Sequence, residues 1–314
     1  MANTDIPLVQ ELDGVYLLDT QHMDVHGIVG VFLLPGEDGK FSLIETGPTS
    51  TLPTIKKGIA EAGFELDGLE AVLVTHIHLD HAGASGTLAQ ETGAKVYVHE
   101  IGAKHLVDPS RLMSSATRIY GNRMEELWGE MVPIPEAQVE ALQGGETLEI
   151  GGYSIEVIYT PGHASHHVAY LLNGETMFTG DAANIYLTGS SVIRPALPPP
   201  DIDLETWRDT AEKMLSAQPK RLMLTHFGLV EDVETHLRRV PERNSAWAET
   251  ILAGMLEGEE SDALEERIAA FGDAELEADN VPPEVMKRHR LTSNYAMTVM
   301  GVTRYWQKHH SEKL

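Results

Sequence analysis

Four side chains that can bind a metal ion lie close together near residue 80. They are His76, His78, Asp80 and His81. They directly follow the apolar run Ala71–Val74, which we interpret as a buried strand. The residues Gly83–Thr92 predict the start of a helix. The four side chains are therefore expected on a strand-to-helix turn, where loop residues can converge on one point beyond the end of the strand.

The ligand types indicate which ions such a site would hold. Imidazole and carboxylate groups together suit Zn, Fe or Mn. In an extended segment His76 and His78 lie on one face and can reach the same ion. Asp80 and His81 then turn to the other side, where a second ion about 3.5–4 Å away would use them. A lone His-x-His pair is common on protein surfaces, but four such groups after a strand favour a metal site.

The pattern His-x-His-x-Asp-His resembles the signature of the metallo-β-lactamase fold superfamily, over roughly residues 10–230. The resemblance implies an α/β fold, a four-layer αββα sandwich with the metal site at one edge. It also implies three further ligands in a fixed order along the chain. His163 follows the predicted strand Tyr153–Tyr159, Asp181 follows Phe178-Thr179-Gly180, and His226 follows another short apolar run.

The resemblance also implies how the ligands divide between two ions. One ion would be held by His76, His78 and His163, and the other by Asp80, His81 and His226, with Asp181 bridging them. Two adjacent divalent ions, Zn before Fe or Mn, lower the pKa of a shared water and give hydroxide near neutral pH. Asp80 is expected also to pass a proton to the leaving group. We therefore expect a hydrolase that acts on an ester, thioester or lactone-type bond of a small molecule.

Three residues near the ligands depart from the family pattern or extend it. The family usually has Asp-x-Gly after an early strand, and this chain has Glu45-Thr46-Gly47. That carboxylate supports the turn beneath the metal site, and Glu45 is expected to do the same from a shifted backbone. His167 lies where the family often has a histidine that supports the ligands, and His166 replaces a common glycine. We interpret both histidines as structural.

Several residues are candidates for contact with the substrate. The loop between the first two strands commonly overhangs the metal site in this family, so His22 and His26 either line the pocket or are exposed loop histidines. Tyr186 is a candidate catalytic donor to a carbonyl or oxyanion, and Arg194 a candidate to bind a carboxylate or phosphate. The alternative is a surface tyrosine and an arginine in a local ion pair. Residues 100–135 are predicted to be an insertion whose methionine and aromatic side chains belong to the core or line an apolar cleft.

The chain divides into residues 1–231, the predicted catalytic domain, and 232–314, a predicted helical extension. Apolar residues at helical spacing predict a first helix after residue 232, a second over Ser261–Phe271 and a third over Glu284–Trp306. We expect these helices to pack on their own domain, to form a homodimer interface, or to cover the metal cleft.

Composition and charge exclude some classes of function. The formal net charge of −25 disfavours nucleic-acid binding, which depends on clustered Lys and Arg. The absence of cysteine excludes disulfides and thiolate-bound metal. The sequence begins without the pattern of a secretory signal, and it has no apolar run of the ~20 residues that cross a bilayer. We therefore expect a cytoplasmic protein with no membrane partner.

Length and the helical tail favour the thioesterase, lactonase and glyoxalase II-like portion of the superfamily. A phosphodiesterase, an iron-dependent sulfur dioxygenase and an inactive binding protein remain as alternatives. A dioxygenase needs a single iron, so Asp80, His81 and His226 together favour the two-ion site. A binding protein on this fold would have lost ligands, and this chain keeps all seven.

Overall fold

The computed structural model describes residues 6–314, which form two packed β-sheets with helices on their outer faces. The first sheet runs in sequence order from β1 to β7. Its strands are β1 Val9–Leu12, β2 Val15–Asp19, β3 Gly30–Pro35, β4 Phe41–Ile44, β5 Leu69–Leu73, β6 Lys95–His99 and β7 Val139–Leu142. The second sheet has the order β13-β12-β11-β10-β9-β8. Its strands are β8 Thr147–Ile150, β9 Tyr153–Tyr159, β10 Val168–Leu172, β11 Thr176–Phe178, β12 Arg221–Leu224 and β13 Gly228–Val230.

The helices fall into three groups along the chain. Those between β4 and β6 are α1 Leu52–Glu61, α2 Leu79–Ala82 and α3 Ser85–Thr92. Those of the predicted insertion are α4 Glu100–Val107, α5 Ser110–Tyr120 and α6 Met124–Leu127. The later helices are α7 Leu204–Ser216, α8 Val233–Leu256, α9 Ser261–Ala278, α10 Pro283–Thr292 and α11 Tyr295–His309.

Alternation along the strands explains the layered packing. On β3, Phe32 faces the second sheet, where its ring meets that of Phe178 edge-on with 5.0 Å between the centroids. Its neighbour Leu33 faces the opposite way and packs in the cluster that contains Ile55 of α1. The outer face of the second sheet is covered in the same way by Met214 of α7 and other residues. Central strands such as β3 and β10 are buried on both faces and apolar almost throughout, whereas the edge strands β1 and β8 carry exposed polar residues. The predicted αββα sandwich is confirmed.

The C-terminal helices differ from the prediction in two places. The predicted helix Glu284–Trp306 is in fact α10 and α11, because Asn294 caps α11 by accepting a hydrogen bond from the backbone N–H of Met297 at 3.0 Å. Helix α9 runs to Ala278, seven residues beyond the predicted end at Phe271.

The C-terminal helices pack on the β-sandwich of their own chain. Trp247 of α8 is fully buried, and the indole N–H of Trp306 on α11 donates to the carbonyl of Ala248 at 2.9 Å. Both tryptophans belong to the apolar cluster that fills the space between the sheets. The domain boundary at residue 231 and the homodimer remain predictions. Within residues 6–314, no helix is long and apolar enough to cross a membrane.

Candidate active site

The seven predicted ligands meet at one edge of the sandwich, in segments that follow the ends of strands. They are His76 and His78 after β5, Asp80 and His81 in α2, His163 after β9, Asp181 after β11 and His226 after β12. The pairs β4–β5 and β11–β12 are parallel, so their carboxyl ends lie at the same edge of each sheet. Helix α2 begins at Leu79, earlier than predicted, so Asp80 and His81 lie in a helical turn, with the ring centroid of His81 4.0 Å from that of His76.

Three of the histidines form the first group. Nδ1 of His78 lies 2.9 Å from Nε2 of His76 and 3.0 Å from Nε2 of His163. All three ring nitrogens therefore point at a common position, as the ligands of one ion would.

The second group lies beside the first, with Asp181 between them. Oδ1 of Asp181 is 3.3 Å from Nε2 of His81 and 3.4 Å from Nε2 of His226. Oδ2 of the same carboxylate is 3.4 Å from Nε2 of His163, in the first group. Asp80 completes the second group, with Oδ2 3.4 Å from Nε2 of His226. One carboxylate therefore faces both groups.

Hydrogen bonds at the outer ring nitrogens determine where the histidine protons lie. Nδ1 of His163 is 2.9 Å from the carbonyl oxygen of Ala196, and Nδ1 of His226 is 2.6 Å from that of Ile28. A carbonyl oxygen only accepts, so both Nδ1 atoms carry protons. In a neutral ring the Nε2 atom then has a free lone pair, which in both residues points into the site.

Glu45 orients two further histidines from below. Its carboxylate accepts hydrogen bonds from the hydroxyl of Thr75 at 2.5 Å and from Nδ1 of His81 at 2.8 Å. Because the hydroxyl proton of Thr75 is used in this way, the hydroxyl oxygen accepts from Nδ1 of His76 at 3.0 Å. His76 and His81 therefore also direct Nε2 lone pairs inward. Glu45 is fully buried and has a left-handed backbone, with a φ of 65°.

These atoms fit divalent metal ions. Nε2 of His81 and Oδ1 of Asp181 are buried without a hydrogen-bond partner in the described part of the chain. Lone pairs that face one another at about 3 Å repel, and a cation between them removes the repulsion. Nitrogen and carboxylate donors without sulfur suit Zn, Fe or Mn. Glu45 also lies within reach of His76 and His81, but its hydrogen bonds already engage it.

The electrostatics differ between the two groups. Burial, and then the neighbouring histidines, hold the pKa of His76 well below its ordinary value, so this ring is neutral. Burial acts in the same direction on His81, but the carboxylates of Asp181, Glu45 and Asp80 outweigh it and raise the pKa well above its ordinary value. The second group therefore favours positive charge at Nε2 of His81, which a metal ion supplies in place of a proton.

A glycine allows Asp181 to approach the other ligands. Gly180 has a φ of +48°, and a Cβ there would clash with Thr75 and lie 2.7 Å from Nε2 of His167. That nitrogen accepts a hydrogen bond from the backbone N–H of Asp181 at 3.1 Å, while Nδ1 of His167 lies 2.8 Å from the hydroxyl of Thr160. His167 thus lies behind Asp181 and holds its backbone.

A cavity of about 620 Å³ opens over the two groups. The insertion supplies much of its apolar wall, and the C-terminal helices and the loop 195–200 supply further parts. These apolar lining residues include Ile119, Tyr120, Leu127 and Trp128 from the insertion, and Leu291 and Met297 from α10 and α11. Other insertion residues, such as Met113 and Met131, pack in the core beneath. The insertion therefore serves both predicted purposes, and the C-terminal helices cover the metal cleft.

The two histidines of the loop after β2 have different positions. His22 is buried, lines the cavity and stacks on Trp128, with 5.2 Å between the ring centroids. His26 lies outside the cavity lining, where its half-exposed ring is 3.2 Å from the carboxylate of Asp19. Only His22 is placed for contact with a substrate.

Tyr186 and Arg194, for which the sequence suggests contact with the substrate, do not line the cavity. The Tyr186 ring packs edge-on against His236, with 5.4 Å between centroids. Arg194 is fully buried, where its guanidinium donates to the carbonyl of Gly272 at 2.6 Å and lies 4.9 Å from the ring of Trp247. An antiparallel bridge between residues 185 and 194 folds this segment back under the C-terminal helices, which the sequence could not show.

Other cavity residues were missed from the sequence. His166, for which the sequence suggests a structural role, lines the cavity, and its Nδ1 is buried without a partner in the described residues. Its place in a histidine-rich turn was the available signal. Arg111 of α5 and Arg290 of α10 also line the cavity, and nothing in their local sequence indicates it.

Comparisons with known proteins agree with this geometry. A family model described as the metallo-beta-lactamase superfamily matches residues 27–226. The metallo-beta-lactamase fold-containing protein ST1585 of Sulfurisphaera tokodaii is 33% identical over 191 residues, which cover 59% of this chain and 71% of that protein. The crystal structure of ST1585 from Sulfolobus tokodaii superposes with a TM-score of 0.60 at 28% identity and covers 73% of this chain and 86% of its own.

A second solved structure resembles nearly the whole chain. The metallo-beta-lactamase family protein TTHA1429 of Thermus thermophilus has a TM-score of 0.68 at 23% identity. The match covers 95% of this chain and 94% of that one, so the shared fold extends into the C-terminal helices.

Proposed function

Because the chain belongs to the metallo-beta-lactamase superfamily, we propose that it is a hydrolase with two divalent metal ions, acting on an ester, thioester or lactone-type bond of a small molecule. The family and the groups of potential ligands support metal-dependent hydrolysis in general. The number of ions, zinc as their identity and the type of bond are the parts that we propose.

The position of Asp181 is the observation that carries the proposal. Its two oxygens face different groups, Oδ2 towards His163 and Oδ1 towards His81 and His226, at 3.3–3.4 Å. A carboxylate in this position can join two ions at the short separation that two-metal hydrolases use. A site for a single ion has no need of the second group.

The residues of the chain supply what the reaction requires around the ions. When bound, a pair of divalent ions supplies a water of lowered pKa and a Lewis acid for the substrate oxygen. Asp80 is the second-group carboxylate with its side chain partly exposed, 24%, and it lines the cavity. It is therefore the carboxylate placed to relay a proton to the leaving group. The apolar walls of the cavity exclude water from the substrate and hold its carbon skeleton.

The test is a hydrolysis screen with variants of the two groups. Purified protein is assayed on nitrophenyl esters, acyl thioesters and lactones, next to His78→Ala, Asp181→Ala and, as a control, His309→Ala on the exposed end of α11. We expect hydrolysis of at least one of these bond types and a loss of about 10³-fold in both site variants. Full activity in either site variant, with the fold retained by circular dichroism, would overturn the proposal.

A further inference from the structure

The charged residues that line the cavity have a balance opposite to that of the whole chain. The chain has 48 acidic and 23 basic residues. Apart from the potential metal ligands, the cavity is lined by one carboxylate, Asp201, and by three arginines, Arg111, Arg123 and Arg290. If histidines are left out, these four residues give the lining of the apolar cavity a net positive charge. In so acidic a chain, such a reversal indicates a ligand that carries negative charge.

The three arginines differ in whether their charge is already matched. Arg290 forms two hydrogen bonds with the carboxylate of Asp273, at 2.7 and 3.1 Å. Arg123 lies 3.3 Å from the carboxylate of Glu126. Arg111 forms no ion pair with any carboxylate in residues 6–314, although Asp108, three residues before it, is near enough for the two charges to interact. Its guanidinium is therefore available to an anion from outside the protein, which it can bind through two parallel hydrogen bonds.

The neighbours of Arg111 reinforce its positive field. Lys104 on α4 also forms no ion pair in the described part of the chain. Burial first, and then Lys104 and Arg111, lower the pKa of His105, which also lines the cavity. Of these residues only Arg111 on α5 brings a positive charge to the cavity lining, since Lys104 lies outside the lining and His105 is neutral.

We propose that the substrate is an amphipathic anion. It is an acyl compound whose apolar body occupies the cavity, and the end away from the reacting bond carries an anionic group, a carboxylate or a phosphate, that is bound by Arg111. The inference rests on the proposed function, since it assumes that the reacting carbonyl lies at the two ligand groups. It adds the class of substrate and makes Arg111 the residue that selects for it.

The test measures binding rather than turnover, so it does not depend on which bond is cleaved. Isothermal titration of the metal-bearing protein compares the dicarboxylates adipate, suberate and sebacate with the monocarboxylates hexanoate, octanoate and decanoate. One carboxylate of either series can occupy the position of the reaction product, and only a dicarboxylate has a second charge for Arg111. The three chain lengths cover a range of distances between the product position at the ligand groups and the guanidinium of Arg111.

Two variants of the same helix provide the comparison. Arg111→Gln removes the proposed anion-binding charge, and Arg118→Gln makes the same change at an exposed arginine of α5 that does not line the cavity. We expect the best dicarboxylate to bind about fivefold more tightly than its monocarboxylate, beyond the statistical advantage of two equivalent ends. Arg111→Gln should abolish that preference and Arg118→Gln should leave it unchanged. Added salt should weaken it in the wild type.

The outcomes separate the two proposals and the two kinds of anion. A wild type without preference at any length, or a preference that survives in Arg111→Gln, would overturn the inference whether or not esters are hydrolysed. Absence of hydrolysis, with the preference present, would overturn the proposed function alone. A compound of the best length with a carboxylate at one end and a phosphonate at the other then distinguishes the two anionic groups. Tighter binding than that of the dicarboxylate indicates that Arg111 binds a phosphate, and weaker binding indicates that it binds a carboxylate.

Discussion

The carboxylate of Glu45 accepts a hydrogen bond from Nδ1 of His81 at 2.8 Å, and neither side chain is exposed to solvent. The bond fixes the proton of His81 on the outer nitrogen and leaves Nε2 directed at Asp181, 3.3 Å away. Glu45 lies behind the ligands, and it therefore determines which nitrogen of His81 faces the second ligand group.

Glu45→Gln should weaken metal binding in the second group. The amide removes the negative charge beneath His81 and Thr75 while it preserves the shape of the side chain. We expect a 10–100-fold loss of affinity for the more weakly held ion, measured by competition with a chelator. Glu70→Gln, at an exposed position on β5, is the control. Equal affinity in both variants would show that Glu45 has no part in the ligand geometry.

His22→Ala should impair substrate binding, whereas His26→Ala should not. His22 is buried in the cavity wall against Trp128, and His26 lies outside the cavity beside Asp19. Loss of the buried ring removes about 1–2 kcal/mol of apolar contact, so we expect kcat/KM to fall about tenfold, mostly through KM. Steady-state kinetics of both variants on the same substrate checks this. Similar values of KM for the two would contradict the placement of His22.

The cluster from His76 to His81 could be predicted from the sequence because it is a local feature, directly after an apolar strand, and the order of His163, Asp181 and His226 is what the family resemblance implies. The layers of the sandwich likewise follow from the resemblance, whereas individual strands and helices could be read from local periodicity. The positions of Tyr186 and Arg194 could not be predicted, because they depend on a bridge within residues 185–194 and on helices that pack from far along the chain. Likewise, Arg111 reaches the cavity only because the insertion folds over the ligands.

The break between α10 and α11 shows a different limit. Apolar spacing continues through residues 284–306, so periodicity alone predicts one helix. The side chain of Asn294 instead bonds to the backbone of Met297 and starts a new helix. Capping of this kind competes locally with helix continuation, and a pattern of apolar residues contains no information about it.

Arg194→Gln should reduce stability without affecting substrate affinity. The guanidinium is fully buried, donates to the carbonyl of Gly272 and lies over Trp247. Losing a charged hydrogen bond and this contact should lower the free energy of unfolding by about 2–3 kcal/mol. Urea unfolding measures the change, with Arg208→Gln at an exposed position of α7 as the control. A raised KM with unchanged stability would restore the role in substrate binding.

His236 should make the protein less stable in mild acid. Burial lowers the pKa of this histidine from 6.5 to about 4, while its Nε2 donates to the carbonyl of Ala183 at 2.8 Å. As the pH falls through 6.5, the unfolded chain takes up a proton that the folded chain does not bind until about pH 4. The free energy of unfolding therefore decreases across this window, by up to about 3 kcal/mol from this residue.

The variant His236→Gln tests this prediction. Glutamine can still donate to the carbonyl of Ala183 but does not titrate, so the loss of stability between pH 7 and pH 4 should be smaller than in the wild type. Urea unfolding at several pH values, with chelator present so that metal release does not contribute, measures the difference. His309→Gln on the exposed end of α11 should follow the wild type. A variant with an unchanged pH dependence would exclude His236 as a cause.

The metal content of the purified protein tests the central claim most directly. Elemental analysis gives the identity and the number of ions per chain, and Asp181→Ala gives the corresponding value without the shared carboxylate. We predict two divalent ions per chain in the wild type, mainly zinc, and fewer in the variant. A single iron per chain, unchanged by Asp181→Ala, would contradict the paired site and would favour redox chemistry on a sulfur compound instead.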